Sequence, residues 1–597
     1  MSSVEGSVEG VMNSRLKAYQ LVPAAILLAI ITLLCHGSAL RGGWRVDDPS
    51  NLLYVVENPA ILGYFFSPGQ WQATSMPFFT PWPALDYRLD YAFFGLNPSA
   101  FYAHHLLSIW IAALLTFVLL YRSAGLCWGF FAAVLFLIGS PVVVVSQQLM
   151  SRHYAVGLVF AILAIMFWLR AREGNGRIHL VLAAGCYLAA MLNKEVFAPL
   201  PLVLFFLGNG TLGTLGTLGT LGTLGTLNAR LRTLVPFLLT ATLYVAWRAV
   251  MLGEIVGGYS GGFHAVRDIP TSLGTMTKVI FGDGWPALSG SLILLLAVAV
   301  LLRSARQVLP ALLATGVALA LPFLAIQMSA GVIHLRHAFL PWWCACVLLS
   351  LGVARVFSES RPSAAVTERR RYSFVMARYL AISGALLLSI LTAVKSLETS
   401  RIYDAVAAEF DAQGRFLWEH DETVGYVPSG EVAAFLQFPF GVSRLKRLLL
   451  AQGTPIPIPF ADSAPLFHGT LSVHSYDPAC RCMRMEAKPT AASTEAKAYD
   501  PALPMDIWLD KSNGRIAWGV KTAADRTCFF VFPKLNAATQ FPCSGLVRAP
   551  AWLSGPFRFF VRTTDGRWNA SPTLVFPEDG QKIQWSSEPV PVSGVSE

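Results

Sequence analysis

Apolar runs of about 20 residues recur along most of this chain, and this pattern limits what it can fold into. A helix of that length crosses the roughly 30 Å of hydrocarbon in a bilayer. Hydrophobic residues make up 54% of the 597 residues and charged residues only 13%. The sequence therefore predicts a polytopic α-helical membrane protein. Eleven spans are predicted: 18–39, 102–121, 126–145, 154–170, 178–193, 196–208, 231–250, 289–303, 308–328, 338–357 and 374–394.

The basic residues predict how the spans are oriented. Arg15 and Lys17 precede the first apolar run without a small-residue cleavage site, which favours an uncleaved first span. Alternate connections, such as "RAREGNGR" and "ESRPSAAVTERRR", are rich in arginine and are predicted to be cytoplasmic. The N-terminus is then cytoplasmic, and the loop 40–101 and everything after residue 395 face outward. The net charge of +10 follows from this topology, and no nucleic-acid-binding motif accompanies it.

The last 200 or so residues differ in kind from the membrane domain, which is predicted to cover residues 1–395. Residues 396–597 are polar and carry short aromatic and β-branched runs such as "TCFFVF", which predict an extracytoplasmic soluble domain containing β-strands. In an exported domain, cysteines can form disulfides, and Cys528 with Cys543 would close a short loop. Other pairings stay open, and metal binding is the weaker alternative because the spacing is not that of a zinc site. The four cysteines are Cys480, Cys482, Cys528 and Cys543.

A triplet repeat interrupts the membrane domain. Residues 210–227 read "GTLGTLGTLGTLGTLGTL". A period of three matches neither a heptad nor a solenoid repeat, and the segment lacks the proline of collagen. We interpret it as a flexible cytoplasmic linker.

Two adjacent aspartates, Asp47 and Asp48, follow the first span in "LRGGWRVDDPSNLLYVVENP". One interpretation is structural: an aspartate caps the next helix, with Pro49 at its first position. The other is chemical: one carboxylate acts as general base for an acceptor hydroxyl or amine, and its neighbour raises its basicity or binds a cation. The two interpretations are compatible.

The rest of the first outer loop is rich in aromatic residues and proline, which favours segments lying in the membrane interface. Its large rings suit either an interfacial aromatic belt or stacking on sugars. Asp86 and Asp90, four residues apart around Arg88, are interpreted as a solvated helix face. The rings in question are Trp71, Trp82, Tyr87 and Tyr91.

Charged residues at the outer ends of spans form a second group of candidates, because burying charge there is costly and often functional. Fixed cations around a membrane-surface cavity would bind a phosphate-bearing lipid. Snorkelling side chains, or an ion pair between Lys194 and Glu195, are the structural alternatives. The candidates are Arg152, Lys194, Glu195, His334, Arg336 and His337.

Several stretches together resemble the GT-C superfamily of membrane glycosyltransferases, in particular its protein O-mannosyltransferase-like branch. The chain looks most similar to the tetratricopeptide-bearing O-mannosyltransferases and their bacterial relatives, although it lacks the repeats. Where relatives commonly carry "YRPL" in the first loop, this chain has "FTPW". The matching stretches are "WRVDDPSNLLYVVENP", "LDYAFFGLNPSAFYAHHLLSI", "SPVVVVSQQLMSRHYAVGLVF", "NKEVFAPLPLVLF" and "HLRHAFLPWW".

The resemblance implies a hexosyltransferase that moves a sugar from a polyprenyl-phosphate donor to a protein or glycan acceptor on the outer side. By it, Asp47 is the general base and Asp48 its partner, while Arg152, Lys194 and Arg336 hold the donor phosphate. Such enzymes generally need no metal cofactor, although a divalent cation at the aspartate pair stays an alternative. The supporting candidates are Glu195, His104, His153, His334 and His337, and His104 is interpreted as architectural.

The implied chemistry is a single displacement at the anomeric carbon, which inverts its configuration. A phosphate leaving group needs stabilising cations rather than an acid catalyst, which fits one carboxylate with several basic residues.

Two other functions compete. A transporter or flippase of a lipid-linked saccharide would share the basic residues but has no need of the aspartate pair, and no inverted repeat is evident. An inactive scaffold is the other. A bacterial inner membrane is the expected location.

Overall fold

The computed structural model divides into two compact units. It describes residues 18–72, 78–172, 176–207, 224–253, 269–304, 335–358, 368–420, 424–427, 432, 437–450, 472–485, 500, 503, 505–512, 515–521, 526–532, 537–541, 543–548, 556–563, 567–578 and 580–586. The first unit comprises Met1–Arg41 and Pro77–Asp404, and the second comprises Gly42–Met76 and Ala405–Glu597. The second unit thus includes part of the first outer loop, whereas the sequence predicts that this loop belongs to the membrane domain.

The first unit is helical throughout its described residues. Short 3-10 turns at Gly37–Arg41, Leu149–Ser151, Glu195–Phe197 and Leu335–Ala338 connect or extend the helices. The helices are α1 (Ala18–His36), α5 (Pro81–Phe94), α6 (Pro98–Leu137), α7 (Ser140–Ser146), α8 (Arg152–Arg172), α9 (Gly176–Asn193), α10 (Leu200–Leu207), α11 (Leu224–Leu252), α12 (Ile269–Phe281), α13 (Trp285–Ser304), α14 (Phe339–Ser358) and α15 (Glu368–Glu419), with α2–α4 in the second unit.

Many of these helices can cross a membrane. Among the described residues, seven are long and apolar enough, or eight if the bent pair Gly274–Phe281 and Trp285–Val300 forms one span. The chain is therefore a polytopic integral membrane protein. The predicted span 308–328 lies outside the described residues, as do His334 and most of the triplet repeat.

Two predicted spans have different ends in the structure. Spans 102–121 and 126–145 correspond to α6, which breaks at Gly125 (φ 79°), and the second half ends at Leu137 rather than at residue 145. Gly139 follows in an extended conformation, and a new helix then starts with a proline in its first turn. Proline cannot donate the backbone hydrogen bond that a continuous helix would need there. Span 196–208 is likewise a 3-10 turn followed by the eight-residue α10.

Helix α15 is longer than its predicted span. It has 52 residues, about 78 Å at the usual rise, and continues to Glu419 instead of ending near residue 394. It crosses the boundary between the two units at Asp404. The predicted domain boundary at residue 395 thus falls inside a continuous helix.

The second unit combines three short helices of the first outer loop with a β-rich region. Helices α2 (Asp48–Glu57), α3 (Ile61–Phe66) and α4 (Pro68–Gln72) come from the loop. Helix α16 (Gln437–Leu449) packs on α2, where a Cβ on Gly441 would lie 3.0 Å from Pro49 Cβ. The glycine therefore allows the close approach of the two helices.

Three sheets follow, as predicted for a β-containing region. One has strand order β1-β2-β3, one has order β10-β9-β6-β7 with β11 also paired to β9, and one has order β12-β4-β5-β8. The strands are β1 (Val424–Val427), β2 (Ser472–Asp477), β3 (Cys482–Met485), β4 (Asp506–Ser512), β5 (Arg515–Lys521), β6 (Arg526–Phe532), β7 (Ala537–Phe541), β8 (Ser544–Arg548), β9 (Pro556–Thr563), β10 (Trp568–Ala570), β11 (Leu574–Val575) and β12 (Lys582–Ser586).

Disulfides and an apolar cluster hold the β-rich region together. Cys528 pairs with Cys543, the loop suggested from the sequence, and Cys480 pairs with Cys482. Side chains of β4, β5 and β9 form the core, among them Ile507, Leu509 and Phe559.

Close helix packing in the first unit can be tested at Gly157 in α8. An added Cβ there would lie 2.2 Å from Cε2 of the buried Phe197. We expect Gly157→Ala to destabilise the protein by about 1–3 kcal/mol through overpacking, seen as a lower thermal midpoint in detergent. Gly185→Ala in α9 is the matched control, since its Cβ would meet nothing within 4 Å and alanine favours the helix. Equal midpoints for the two variants would contradict the packing.

Candidate functional site

A tight turn presents the aspartate pair within the second unit. The Asp48 backbone N–H donates to the Arg45 carbonyl at 2.8 Å, and the Arg45 N–H donates to Asp48 Oδ2 at 3.0 Å. Asp48 is fully buried, whereas Asp47 is half-buried. The carboxylate of Asp48 therefore closes the turn, and that of Asp47 is the more accessible of the two.

Backbone strain precedes the pair. Val46 has φ 49° and is buried. A β-branched residue rarely adopts this left-handed conformation, at a cost of about 1–3 kcal/mol, and such outliers cluster at functional sites. Val46 directly precedes Asp47, so the strain lies where the sequence predicts chemistry.

The predicted helix cap takes a different form. Asp47 occupies the N-cap position of α2, but its side chain makes no capping hydrogen bond, and Pro49 is the second helical residue rather than the first. Because Asp48 instead binds the backbone N–H of Arg45, the structural role belongs to Asp48. Capping does not account for the carboxylate of Asp47.

In the first unit, Arg152 is buried and neutralised. Its Nη1 donates to Asp90 Oδ2 at 2.5 Å and its Nη2 to the Phe101 carbonyl at 2.7 Å. Asp90 Oδ1 lies 2.7 Å from His104 Nδ1, and Tyr87 lies under the guanidinium. This network joins α5, α6 and α8 and includes His104.

The interpretation of Asp86 and Asp90 as a solvated helix face is wrong, because both side chains are buried. Asp86 Oδ2 has no hydrogen-bond partner among the described residues. Burial raises the pKa of Asp86 to about 6, against the opposing effects of Arg152 and His104. Asp90 is buried against its partner Arg152 on α8, and the spacing of the two aspartates along their own helix does not reveal that contact.

Lys194 and Arg336 differ from Arg152 in their partners. No carboxylate pairs with either side chain among the described residues: Lys194 Nζ lies 3.6 Å from the centre of the Phe78 ring, and Arg336 Nη1 lies 3.5 Å from Met150 Sδ. Both act electrostatically on the half-buried His153, whose Nε2 has no described hydrogen-bond partner. We call these three side chains the cation cluster; its two cations, Lys194 and Arg336, form no ion pair with a carboxylate among the described residues.

Burial also affects Lys194 itself. It lowers the pKa of the Lys194 ammonium to about 8; Glu195 opposes the change and Arg336 adds to it. At neutral pH the side chain is still charged. A buried cation of this kind favours an anionic ligand.

Glu195 pairs with a residue that sequence analysis missed. Arg248 Nε donates to Glu195 Oε1 at 2.5 Å, and the Phe79 N–H lies 3.4 Å from the same oxygen. Tyr244 donates to the Phe79 carbonyl at 3.0 Å. Lys194 and Glu195 are therefore not a local ion pair. An arginine inside the apolar run of α11 was the available signal for Arg248.

The remaining candidates have mainly packing contacts. Trp71 and Tyr87 are buried, and Trp71 donates to the Tyr64 carbonyl, so neither ring belongs to an interfacial belt or stacking platform. Trp82 packs edge-on against Phe160, Tyr91 lies beside Arg88, and His337 is buried. Among the described residues, no group of three or more His, Cys, Asp or Glu side chains could hold a metal ion.

Comparisons with known proteins returned solved structures only. No family model and no curated protein sequence matches the chain. ArnT from Cupriavidus metallidurans bound to undecaprenyl phosphate is similar at 13% identity and a TM-score of 0.41, over 78% of this chain and 94% of that one. An Archaeoglobus fulgidus oligosaccharyltransferase with a tethered acceptor peptide is similar at 16% identity and a TM-score of 0.38, over 71% of this chain and 59% of that one. The mycobacterial arabinofuranosyltransferase AftD is similar at 12% identity and a TM-score of 0.42, over 91% of this chain and 41% of that one.

Asp86 provides a pH test of the buried network. Because its folded pKa of about 6 exceeds the ordinary 3.8, the protonated form favours folding. That contribution is complete below about pH 4 and is lost as the pH rises through about 6. Asn does not titrate, so the Asp86→Asn variant lacks this decline in stability. We therefore expect the difference in thermal midpoint, variant minus wild type, to increase between about pH 4 and pH 7. A difference that stays constant over this range would contradict the assignment.

Proposed function

We propose that this protein is a membrane glycosyltransferase of the GT-C type that uses a polyprenyl-phosphate-linked sugar donor. The observation that carries the proposal is the cation cluster, because Lys194 and Arg336 lack a described carboxylate partner. An anionic partner stabilises a positive charge that is buried, as that of Lys194 is, and a phosphate accepts several charge-assisted hydrogen bonds. A lipid phosphate fits both this charge and the ends of membrane spans.

Asp47 is the proposed general base. Its half-buried carboxylate, the strained Val46 before it and the turn closed by Asp48 support this role, together with the resemblance of "WRVDDPSNLLYVVENP" to the GT-C motif. Asp48 acts as a positioning residue. Arg152 is proposed to act through the architecture, since Asp90 already takes its charge.

The reaction is a single displacement. Asp47 takes the proton of the acceptor hydroxyl, the hydroxyl oxygen attacks the anomeric carbon, and the bond from that carbon to the phosphate oxygen breaks. Lys194 and Arg336 stabilise the charge that develops on the leaving phosphate, so no acid catalyst is needed. The product has inverted anomeric configuration. The hexosyl donor, the protein or glycan acceptor and the protein O-mannosyltransferase-like branch are inferred from the sequence resemblance.

The proposed topology puts the N-terminus in the cytoplasm and the second unit outside, in a bacterial inner membrane. The arginine-rich alternate connections support this orientation. The disulfides Cys480–Cys482 and Cys528–Cys543 support an oxidising compartment for the β-rich region.

Transfer of labelled sugar from polyprenyl-phosphate donors, measured in membranes with wild type and Asp47→Asn, tests the proposal. The variant keeps the shape of the side chain but loses the base, so we expect transfer to fall at least 100-fold at equal expression. Asp48→Asn keeps a hydrogen-bond acceptor for the Arg45 N–H and should lose less.

The exposed Asp283→Asn is the matched control and should transfer normally. Full activity of Asp47→Asn, or retention of configuration in the product, would refute the assigned mechanism. No transfer by wild type with any donor would favour a transporter or an inactive scaffold.

Binding of the donor phosphate should depend on pH through Lys194. As the pH rises through about 8 the ammonium deprotonates, so we expect affinity for undecaprenyl phosphate to fall, by up to about tenfold per pH unit. Lys194→Arg keeps the charge and should remove this decline between about pH 8 and pH 10. The measurement is a binding titration with reconstituted protein, and an unchanged decline in the variant would rule out Lys194 as the titrating group.

A further inference from the structure

The four-stranded sheet of the second unit has two unlike faces. Along β4, Ile507 and Leu509 are buried in the apolar core, so the alternate residues Asp506, Trp508 and Asp510 lie on the opposite face. The register of β12 adds Lys582, Gln584 and Ser586 to that face, paired with Asp510, Trp508 and Asp506 respectively. One tryptophan is therefore surrounded by polar residues.

Trp508 lies across the neighbouring strand. A Cβ added to Gly519, its partner on β5, would lie only 2.2 Å from Trp508 Nε1 and 2.5 Å from Cε2. The indole therefore occupies the space in which the side chain of any residue other than glycine would lie at position 519. Trp508 is nevertheless 41% exposed. The glycine lets the ring rest on the sheet while part of it stays open to solvent.

A cleft of about 600 Å³ lies at one end of this sheet, and its lining includes Asp506, Trp508, Ser544, Gln584 and Ser586, together with residues that pack on the core side, such as Trp585. Asp506 Oδ1 and Ser586 Oγ are 2.5 Å apart. An ion pair between Lys582 Nζ and Asp510 Oδ2, at 2.8 Å, lies on the same face. The cleft thus combines an aromatic ring with a carboxylate, hydroxyls and an amide.

We propose that this cleft binds a saccharide built of pyranose rings. A pyranose has an apolar C–H face that can lie on an indole ring and hydroxyls at its edge that can bond to carboxylate, amide and hydroxyl groups. Small-ligand sites have this volume and this mixture of an apolar surface with a few polar groups. The function goes beyond sugar transfer and does not depend on it.

Other occupants fit less well. A nucleic acid could stack on the ring, but it needs positive charge for its phosphates, and the described lining of the cleft holds the carboxylate of Asp506 and no lysine or arginine. A contiguous exposed apolar patch would indicate a protein partner, whereas the exposed neighbours of Trp508 on β12, such as Gln584, are polar. A hydroxyl-rich, uncharged ligand matches the chemistry.

The test uses the full-length protein in lipid nanodiscs, because alkyl glycoside detergents would compete for the cleft. Binding of maltotriose, cellotriose and an α-linked mannotriose is measured by saturation-transfer NMR. We expect at least one trisaccharide to bind wild type and Trp508→Ala to weaken binding at least tenfold, as loss of a stacking ring does. Trp508→Phe should retain part of the affinity.

Three further variants show whether the loss of binding is specific to the cleft. Gly519→Ala should displace the ring and weaken binding like Trp508→Ala, whereas Met485→Ala removes another exposed apolar side chain of the unit and should have no effect. Asp47→Asn should bind normally, which distinguishes this site from the proposed transfer reaction. Failure of all three trisaccharides to bind wild type, or full binding by Trp508→Ala, would overturn the proposal.

Discussion

The cost of burying charge governs how the membrane-spanning unit is arranged. Asp90 neutralises Arg152, and Glu195 accepts from Arg248. Breaking such a pair leaves an uncompensated buried charge, at a cost of about 3–5 kcal/mol. These two pairs therefore hold α5, α8, α11 and the Glu195 turn in fixed places. Among the described residues, Lys194 and Arg336 have no such carboxylate partner, and they are the cations proposed to bind the donor phosphate.

Burial also distinguishes the two adjacent aspartates, Asp47 and Asp48. Asp48 is buried and bonded to the backbone N–H of Arg45, while Asp47 is half-buried and does not cap its helix. Val46 adopts a strained conformation between the turn's first residue and Asp47. Such a turn fixes the direction of the Asp47 carboxylate, which the proposed role as general base requires.

In the second unit, the sheet β12-β4-β5-β8 has one face in the apolar core and one face open to solvent. Alternation along β4 buries Ile507 and Leu509 in the core and leaves Trp508 on the open face. Gly519 makes the open face possible because it has no side chain to displace the indole. The disulfide Cys528–Cys543 supports the same region from its core side, where Cys528 is buried.

The sequence alone determined that this chain is a polytopic membrane protein with a β-containing region near its C-terminus, because hydropathy and strand alternation are local properties. It also marked Asp47, Lys194 and Arg336, because charge beside an apolar run is conspicuous. Tertiary structure alone decided the pairings: Arg152 meets Asp90 across 62 positions, and Arg248 meets Glu195 across 53. It also decided the end of α6 at Leu137 and the burial of Asp86. Each of these depends on which side chains fold against one another, and a one-dimensional pattern does not contain that information.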